Sequence, residues 1–334
     1  MKTLSIIAFT KRGKNLRSKL VEKLSQLDKF EVDIPLEGQN QRDFVRDNFN
    51  RRDGFIFIGA SGIAVRYIAP LIKSKDVDPA VVLLDEFGRY SISLLSGHLG
   101  GANELAEEIA QLIDAEPIIT TATDINEKFA VDVWSKYVSC HIVDISMIKR
   151  VSAEILEGNK VAIYSGFPFE GEMPDELTID PRPVGICVSF NSRLKPFEET
   201  FNLVPKIITL GVGCRKNTGI KAFEKFILSK LDEEHIDINA IEKIASIDLK
   251  NYEPCILEFS KKYGIPFITA TADELNEVEG IFDGSDFVKK TTGVDNVCER
   301  SAVKFSDKGK IILSKQSQGG MTMALAMKDW KCKF

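Results

Sequence analysis

This chain of 334 residues has only three histidines (His98, His141 and His235), and no two of its six cysteines lie within ten residues of each other. A multi-histidine metal centre is therefore not expected, and neither is a zinc or redox site of the CxxC kind. No metal ligand set is assigned to the protein from its sequence. A disulfide framework is not expected in a large chain that reads as cytoplasmic, so the cysteines read as reduced, small core residues. Long apolar runs are also missing, since none reaches the ~18–20 residues that cross a bilayer. The opening Met-Lys-Thr-Leu-Ser-Ile-Ile-Ala-Phe-Thr is too short in its apolar part for a secretory signal, is followed at once by Lys11, Arg12 and Lys14, and reads as a first strand. Positive charge is in deficit, with 44 basic against 49 acidic residues and a formal net charge of −5. That excludes a broad nucleic-acid footprint, and any anionic ligand must be held by local donors.

Hydrophobic residues make up 44% and charged residues 28% of the chain, which is ordinary for a globular protein. A length of this order suits about two domains at ~150 residues each. Short apolar runs alternate with helical patterns, which predicts an α/β fold: two Rossmann-like α/β lobes with largely parallel sheets, separated by a small α+β middle module. The domain boundaries expected are 1–135, 136–204 and 205–334. Strands are predicted at 54–58, 80–84, 90–95 and from 117 in the first lobe, with helices from 63 and over 101–112. The middle stretch holds five of the twelve prolines and two strands, at 160–164 and 184–190. In the last lobe a strand from 206 enters a glycine turn at 211–213, followed by a helix to about 231, a helix at 254–263 and a late strand from 310. Pro117-Ile-Ile-Thr-Thr-Ala-Thr-Asp124, with Asn126 and Glu127 after it, is echoed by Pro266-Phe-Ile-Thr-Ala-Thr-Ala-Asp273 before Asn276 and Glu277. The echo raises an internal duplication, with a cleft between two related lobes, as one reading beside chance recurrence.

Three glycine-rich turns follow predicted strands, where the carboxyl ends of parallel sheets bind ligands. The first, Gly59-Ala-Ser-Gly62, places Gly59, Ser61 and Gly62 beside Arg66, which suits a carboxylate. It does not have the G-x-G-x-x-G spacing, and no Walker A lysine follows, so a dinucleotide or nucleoside triphosphate is not indicated. The second surrounds His98 with Ser96, Gly97, Gly100 and Gly101 directly before a helix, and these four with Asn103 read as substrate contacts. An imidazole there is placed for proton transfer near neutral pH, while Glu104 reads as a helix-capping carboxylate. The third, Gly211-Val-Gly-Cys-Arg-Lys-Asn-Thr218, sets Gly211, Gly213, Cys214 and Arg215 at a strand-to-helix passage. Cations and a helix start beside Cys214 make it a candidate thiolate, against a plain packed position. Lys250, Thr292, Gly293, Lys315, Gly319 and Gly320 stand at further strand ends and read as contacts to an anionic ligand. Each has a bland reading as a turn residue or solvated lysine.

These segments resemble a known family. Gly-Val-Gly-Cys-Arg-Lys-Asn-Thr at 211–218, Ala-Ser-Ile-Asp-Leu-Lys at 245–250, Gly-Val-Asp-Asn-Val-Cys-Glu-Arg-Ser-Ala at 293–302, and Lys-Gln with Gly-Gly-Met-Thr within 315–322 are similar to the C-terminal domain of the CbiG family. Gly-Ala-Ser-Gly-Ile-Ala-Val-Arg at 59–66 and Leu-Leu-Ser-Gly-His-Leu-Gly-Gly-Ala-Asn at 94–103 are similar to its N-terminal domain. The resemblance covers essentially the whole chain. It implies a cobalt-precorrin-5A hydrolase of anaerobic cobalamin biosynthesis, a hydrolase acting on carbon–carbon bonds. Such an enzyme opens the ring A δ-lactone and releases acetaldehyde to give cobalt-precorrin-5B. Water is then the co-substrate, cobalt arrives with the substrate, and no cofactor belongs to the protein. The resemblance carries no settled catalytic residues. Residue chemistry makes His98 the base, with backbone amides at 97–101 or 211–214 as oxyanion donors. His98, Asp85 or Glu299 would take the hydroxyl proton in acetaldehyde release. A homodimer and transient contact with pathway methyltransferases are compatible with this role; nucleic acid and membrane are not expected partners. Two rivals stand beside it: a non-catalytic tetrapyrrole-binding or handover protein of the same pathway, and an α/β enzyme for a small phosphorylated metabolite.

Overall fold

The apolar runs at 54–58 and 80–84 are buried at every position, the pattern of strands covered on both faces. In a computed structural model, which describes residues 1–74, 77–126 and 128–334, they form the middle of the first of two compact units, Met1–Val133 and Trp134–Phe334. Glu127, part of the repeated segment, lies outside the described residues.

The first unit runs β1 (Lys2–Ala8), α1 (Lys11–Ser25), β2 (Phe30–Asp33), α2 (Gln41–Asn48), β3 (Gly54–Ile58), α3 (Ser61–Ile68), β4 (Ala80–Leu84), β5 (Tyr90–Leu95), α4 (Ala102–Ile113), β6 (Glu116–Ile118), α5 (Ala122–Ile125) and α6 (Val131–Tyr137), the last crossing the unit boundary. The described residues form one sheet in the order β2-β1-β3-β4-β5-β6. The first four strands are parallel, β5 runs antiparallel to β4, and β6 is parallel to β5. Helix α1 starts where the Thr10 side chain accepts from the Gly13 amide, a cap that contributes about 1 kcal/mol. Helix α4 buries Ala102, Leu105, Ala106 and Ile109 against the sheet. Each large side chain on that face contributes roughly 1.5–3 kcal/mol.

The second unit continues with β7 (Cys140–Ile142), α7 (Ser146–Leu156), β8 (Val161–Ser165), β9 (Phe169–Glu170), β10 (Leu177–Thr178), β11 (Val184–Val188), β12 (Glu199–Pro205), β13 (Ile208–Cys214), α8 (Ile220–Glu233), β14 (Ile241–Ile247), α9 (Pro254–Tyr263), β15 (Phe267–Ala270), α10 (Ala272–Asn276), α11 (Asp286–Thr292), α12 (Val297–Lys304), β16 (Lys310–Gln318), β17 (Met321–Met327) and β18 (Cys332–Lys333). Its middle sheet has the order β10-β8-β11-β12-β7, with only β7 antiparallel. Three of those strands, β7, β10 and β12, escape the sequence reading. The C-terminal sheet has the order β15-β14-β13-β17-β16, parallel over its first three strands. Val204 of β12 and the ring cluster Phe167, Phe190 and Trp330 pack on the core under β13, tying the two sheets together.

Two expectations change. The glycines at 211–213 do not form a turn, because β13 runs on through them to Cys214. Glycine is required at 211 by close packing, since a Cβ there would sit 1.8 Å from the Cys298 carbonyl oxygen of α12. The echoed segments are both strand ends followed by a short helix, yet β6 lies three places from β3 while β15 lies two from β13. Their likeness is local.

Candidate active site

The reversal of β5 decides where the histidine loop sits. Gly59 follows β3 and its amide donates to the Leu84 carbonyl, beside the carboxyl end of β4. Leu95, at the carboxyl end of β5, pairs instead with Val81 at the start of β4. The first two glycine turns therefore lie at opposite ends of one sheet, whereas the sequence reading set both at a common carboxyl edge. Because β6 is parallel to β5, its carboxyl end brings the threonines at 121 and 123 to the histidine loop.

That loop is folded tightly on the start of α4. Ser96 adopts a left-handed φ of 59°, and its carbonyl accepts from the Ala102 amide. The Gly97 carbonyl accepts from Asn103, and a Cβ on Gly100 would lie 2.4 Å from that of Ser96. Gly101 enters the helix at φ 82°. The small residues thus let the chain double back and hold His98 in place. His98 Nδ1 lies 3.2 Å from Asp132 Oδ2, and its Nε2 lies 3.5 Å from Thr123 Oγ1. The His98 and Asp132 side chains are only 11% and 6% exposed. With Asp132 accepting, the ring proton sits on Nδ1 and the lone pair on Nε2. Asn103 donates to Thr121 Oγ1 at 3.1 Å, bracing the same corner. The Ser96 hydroxyl is buried and has no hydrogen-bond partner among the described residues. Glu104 stands exposed in the first turn of α4, where the helix dipole favours a carboxylate. Asp132 and Thr123 escape the sequence reading. The available signals are an acidic residue in the first turn of α6 and the threonine-rich segment after β6.

Asp85 and Glu299, the other proposed proton acceptors, are both held by contacts within the fold. Asp85 holds the β4–β5 turn, its Oδ1 accepting from the Arg89 and Tyr90 amides and its Oδ2 from Phe87. Glu299 is buried, its Oε1 accepting from the Lys315 amide and its Oε2 from Asn296 and the Asp283 amide. A bulge in β16 between Leu313 and Gln316 turns Lys315 towards it. Both carboxylates are engaged by structural donors.

The remaining candidates sort by place. Ser61, Gly62 and Arg66 lie exposed on α3, and Arg66 Nη1 donates to the Gly62 carbonyl of its own helix at 3.1 Å. At the end of β13, Cys214, Arg215 and Gly213 meet the β16–β17 hairpin. There the Arg215 amide donates to the Gly320 carbonyl, and Gly319 and Gly320 take φ 61° and 83°. Lys250 follows β14 and pairs with Glu253 at 3.2 Å. Thr292 and Gly293 form the end of α11, with Gly293 at φ 80° and the Thr292 hydroxyl donating to the Val288 carbonyl. Lys315 Nζ donates to the Asp283 carbonyl at 2.7 Å. Thr292, Gly293 and Gly211 are accounted for by structure alone.

The fold is α/β, and its first unit carries a shielded histidine–aspartate pair. Residues 43–124 match the family model Cobalamin synthesis G N-terminal, and 208–326 match Cobalamin synthesis G C-terminus. The chain is 35% identical, over 88% of its length and 87% of the relative's, to the Salmonella typhimurium protein named cobalt-precorrin-5A hydrolase. It is 30% identical to the protein of that name from Priestia megaterium, over 97% of this chain and 94% of the other. A crystal structure of a cobalamin biosynthesis protein G homologue from Sulfolobus solfataricus aligns over 98% of this chain and 97% of that one, at 22% identity and a TM-score of 0.44. The chain belongs to the CbiG family, and it is a hydrolase of cobalamin biosynthesis. Among the described residues, no helix is long and apolar enough to cross a membrane.

Proposed function

We propose that this hydrolase acts in the cytoplasm on cobalt-precorrin-5A, opening its ring A δ-lactone and releasing acetaldehyde to leave cobalt-precorrin-5B. The observation that carries the chemistry is the His98–Asp132 contact at 3.2 Å in a shielded loop. Asp132 holds the ring so that Nε2 faces the reacting oxygen. Nε2 takes a proton from water as its oxygen attacks the lactone carbonyl carbon, and the imidazolium returns a proton to the departing ring oxygen. The carboxylate and a free hydroxyl on the extruded carbon result. Removal of that hydroxyl proton forms the aldehyde carbonyl, the carbon–carbon bond to the macrocycle breaks, and the macrocycle carbon takes the electron pair and a proton. The same imidazole serves both steps. Amides of the 97–100 loop are the donors proposed for the developing oxyanion. The Gly101 amide is spent on the His98 carbonyl.

The acetate and propionate carboxylates of such a substrate suit Arg66 in the first unit, where Gly59, Ser61 and Gly62 allow close backbone approach, and Arg215 and Lys315 in the second, where Gly213, Gly319 and Gly320 do the same. Cobalt is cargo in this reading, and the lactone steps call on no cofactor. The test is anaerobic incubation with cobalt-precorrin-5A and trapping of acetaldehyde with a carbonyl reagent. Stoichiometric acetaldehyde, lost in His98→Ala, is expected. Tight macrocycle binding without acetaldehyde would instead make the protein a carrier.

A further inference from the structure

Two thiols and a carboxylate with no part in the proposed lactone chemistry converge at the end of β13. Cys214 closes that strand, Glu253 is the cap residue of α9, and Cys255 lies in the first turn of that helix after Pro254. Their ligand atoms all lie within 4.8 Å of one another. The two sulfurs are 3.8 Å apart. A tetrahedral ion bound to two thiolates at ~2.3 Å would hold them about 3.8 Å apart, so the pair already has the edge length of such a site.

The surroundings agree with a cation. Cys255 and Glu253 are buried and Cys214 is half-buried, which leaves the cluster open on one side. Glu253 is oriented from outside the cluster: its Oε1 accepts from the Asn217 amide at 3.0 Å and its Oε2 from Lys250 Nζ at 3.2 Å. Outer partners of this kind fix a ligating carboxylate. Three anionic donors would be a prohibitive buried charge by themselves. Joined by a divalent ion and the Lys250 ammonium, they carry no net charge.

We propose that Cys214, Glu253 and Cys255 bind one thiophilic divalent cation of the zinc class. Two thiolates and one carboxylate suit such an ion better than magnesium or calcium, which favour oxygen donors. Three protein ligands leave the fourth position to water or to an incoming ligand on the Cys214 side. The sequence reading assigned no metal because Cys214 and Cys255 lie 41 residues apart; the fold brings them together. The site does not depend on the lactone chemistry and can be tested apart from it.

Full-length protein, stripped with a chelator under reductant, is titrated with Co2+ as a spectroscopic substitute for Zn2+. A thiolate-to-cobalt charge-transfer band saturating at one equivalent and displaced by Zn2+ is expected, with Zn2+ shielding Cys214 from iodoacetamide. Cys214→Ser and Cys255→Ser each abolish the band, and Glu253→Gln weakens binding by about tenfold or more. The shielding measurement needs no variant, so it decides the matter if a buried serine at 255 unfolds the chain. Absence of the band with both thiols reduced, a band that survives both serine variants, or a Cys214–Cys255 disulfide in the isolated protein would each overturn the proposal.

Discussion

His98 and Asp132 are 34 residues apart in the chain, yet Nδ1 of one lies 3.2 Å from Oδ2 of the other. If this pairing sets the tautomer, Asp132→Asn misplaces the ring proton while leaving the imidazole in place. His98→Ala is expected to lower kcat by about 10³-fold or more, and Asp132→Asn by about 10²-fold, within the range general acid–base catalysis supplies. KM should change little in Asp132→Asn. Steady-state kinetics over a pH series checks this, and a kcat for Asp132→Asn equal to wild type removes the pair from the mechanism.

Glu299 gives the opposite expectation. Its carboxylate accepts from the Lys315 and Asp283 amides and from Asn296 inside the second unit. Glu299→Gln places an amide nitrogen against at least one of these donors, and an unmet buried group costs about 1–3 kcal/mol. A lower Tm in calorimetry with kcat per folded molecule retained is expected; a selective loss of kcat with Tm unchanged would contradict the structural role.

Gly211→Ala tests the strand packing. A methyl 1.8 Å from the Cys298 carbonyl oxygen forces β13 and α12 apart. Overpacking of this kind costs about 1–3 kcal/mol, and occasionally more. Chemical denaturation should show the loss, and Gly211→Ala of wild-type stability would mean that α12 can shift freely.

The thiols should differ in their response to pH. The Cys214 thiol is held below the usual thiol value, first by the hydrogen bond from Cys255 and further by the Lys250 charge, against the opposing effect of burial. Burial pushes Cys187 and Cys298 up to about 12 and Cys332 up to about 11. A lowered value means more thiolate at a given pH, and the thiolate is the nucleophile. Limited iodoacetamide labelling of metal-free protein near pH 7 should therefore modify Cys214 first. Mass mapping that finds another cysteine labelled first would sink this ordering.

Much of the fold is legible because apolar runs mark buried strands. The stretches at 54–58, 80–84 and 90–95 appear as β3, β4 and β5, and the proline-led helix at 254–263 appears as α9. Strand direction is not legible, because alternation says that Tyr90–Leu95 is extended but not which way it runs. The glycines of β13 suggest a turn locally, while the reason for them is a carbonyl on α12, far along the chain. The histidine loop is legible as a cluster of small residues around an imidazole. Its partners Asp132 and Thr123 are not, since topology alone brings α6 and α5 to it. Cys255 and Glu253 escape for the same reason.

The reversed β5 also has an energetic consequence. It places the Gly59 turn, which leads into the helix of Arg66, and the His98 loop at opposite ends of the sheet, and a five-residue strand such as β4 spans about 16 Å. Substitutions more than about 7–10 Å apart with no shared partner combine without coupling, to within about 0.5 kcal/mol. A double-mutant cycle on Arg66 and His98 in the free protein should therefore close to zero in stability. Coupling seen only with the macrocycle bound would mean that the ligand itself joins the two loops.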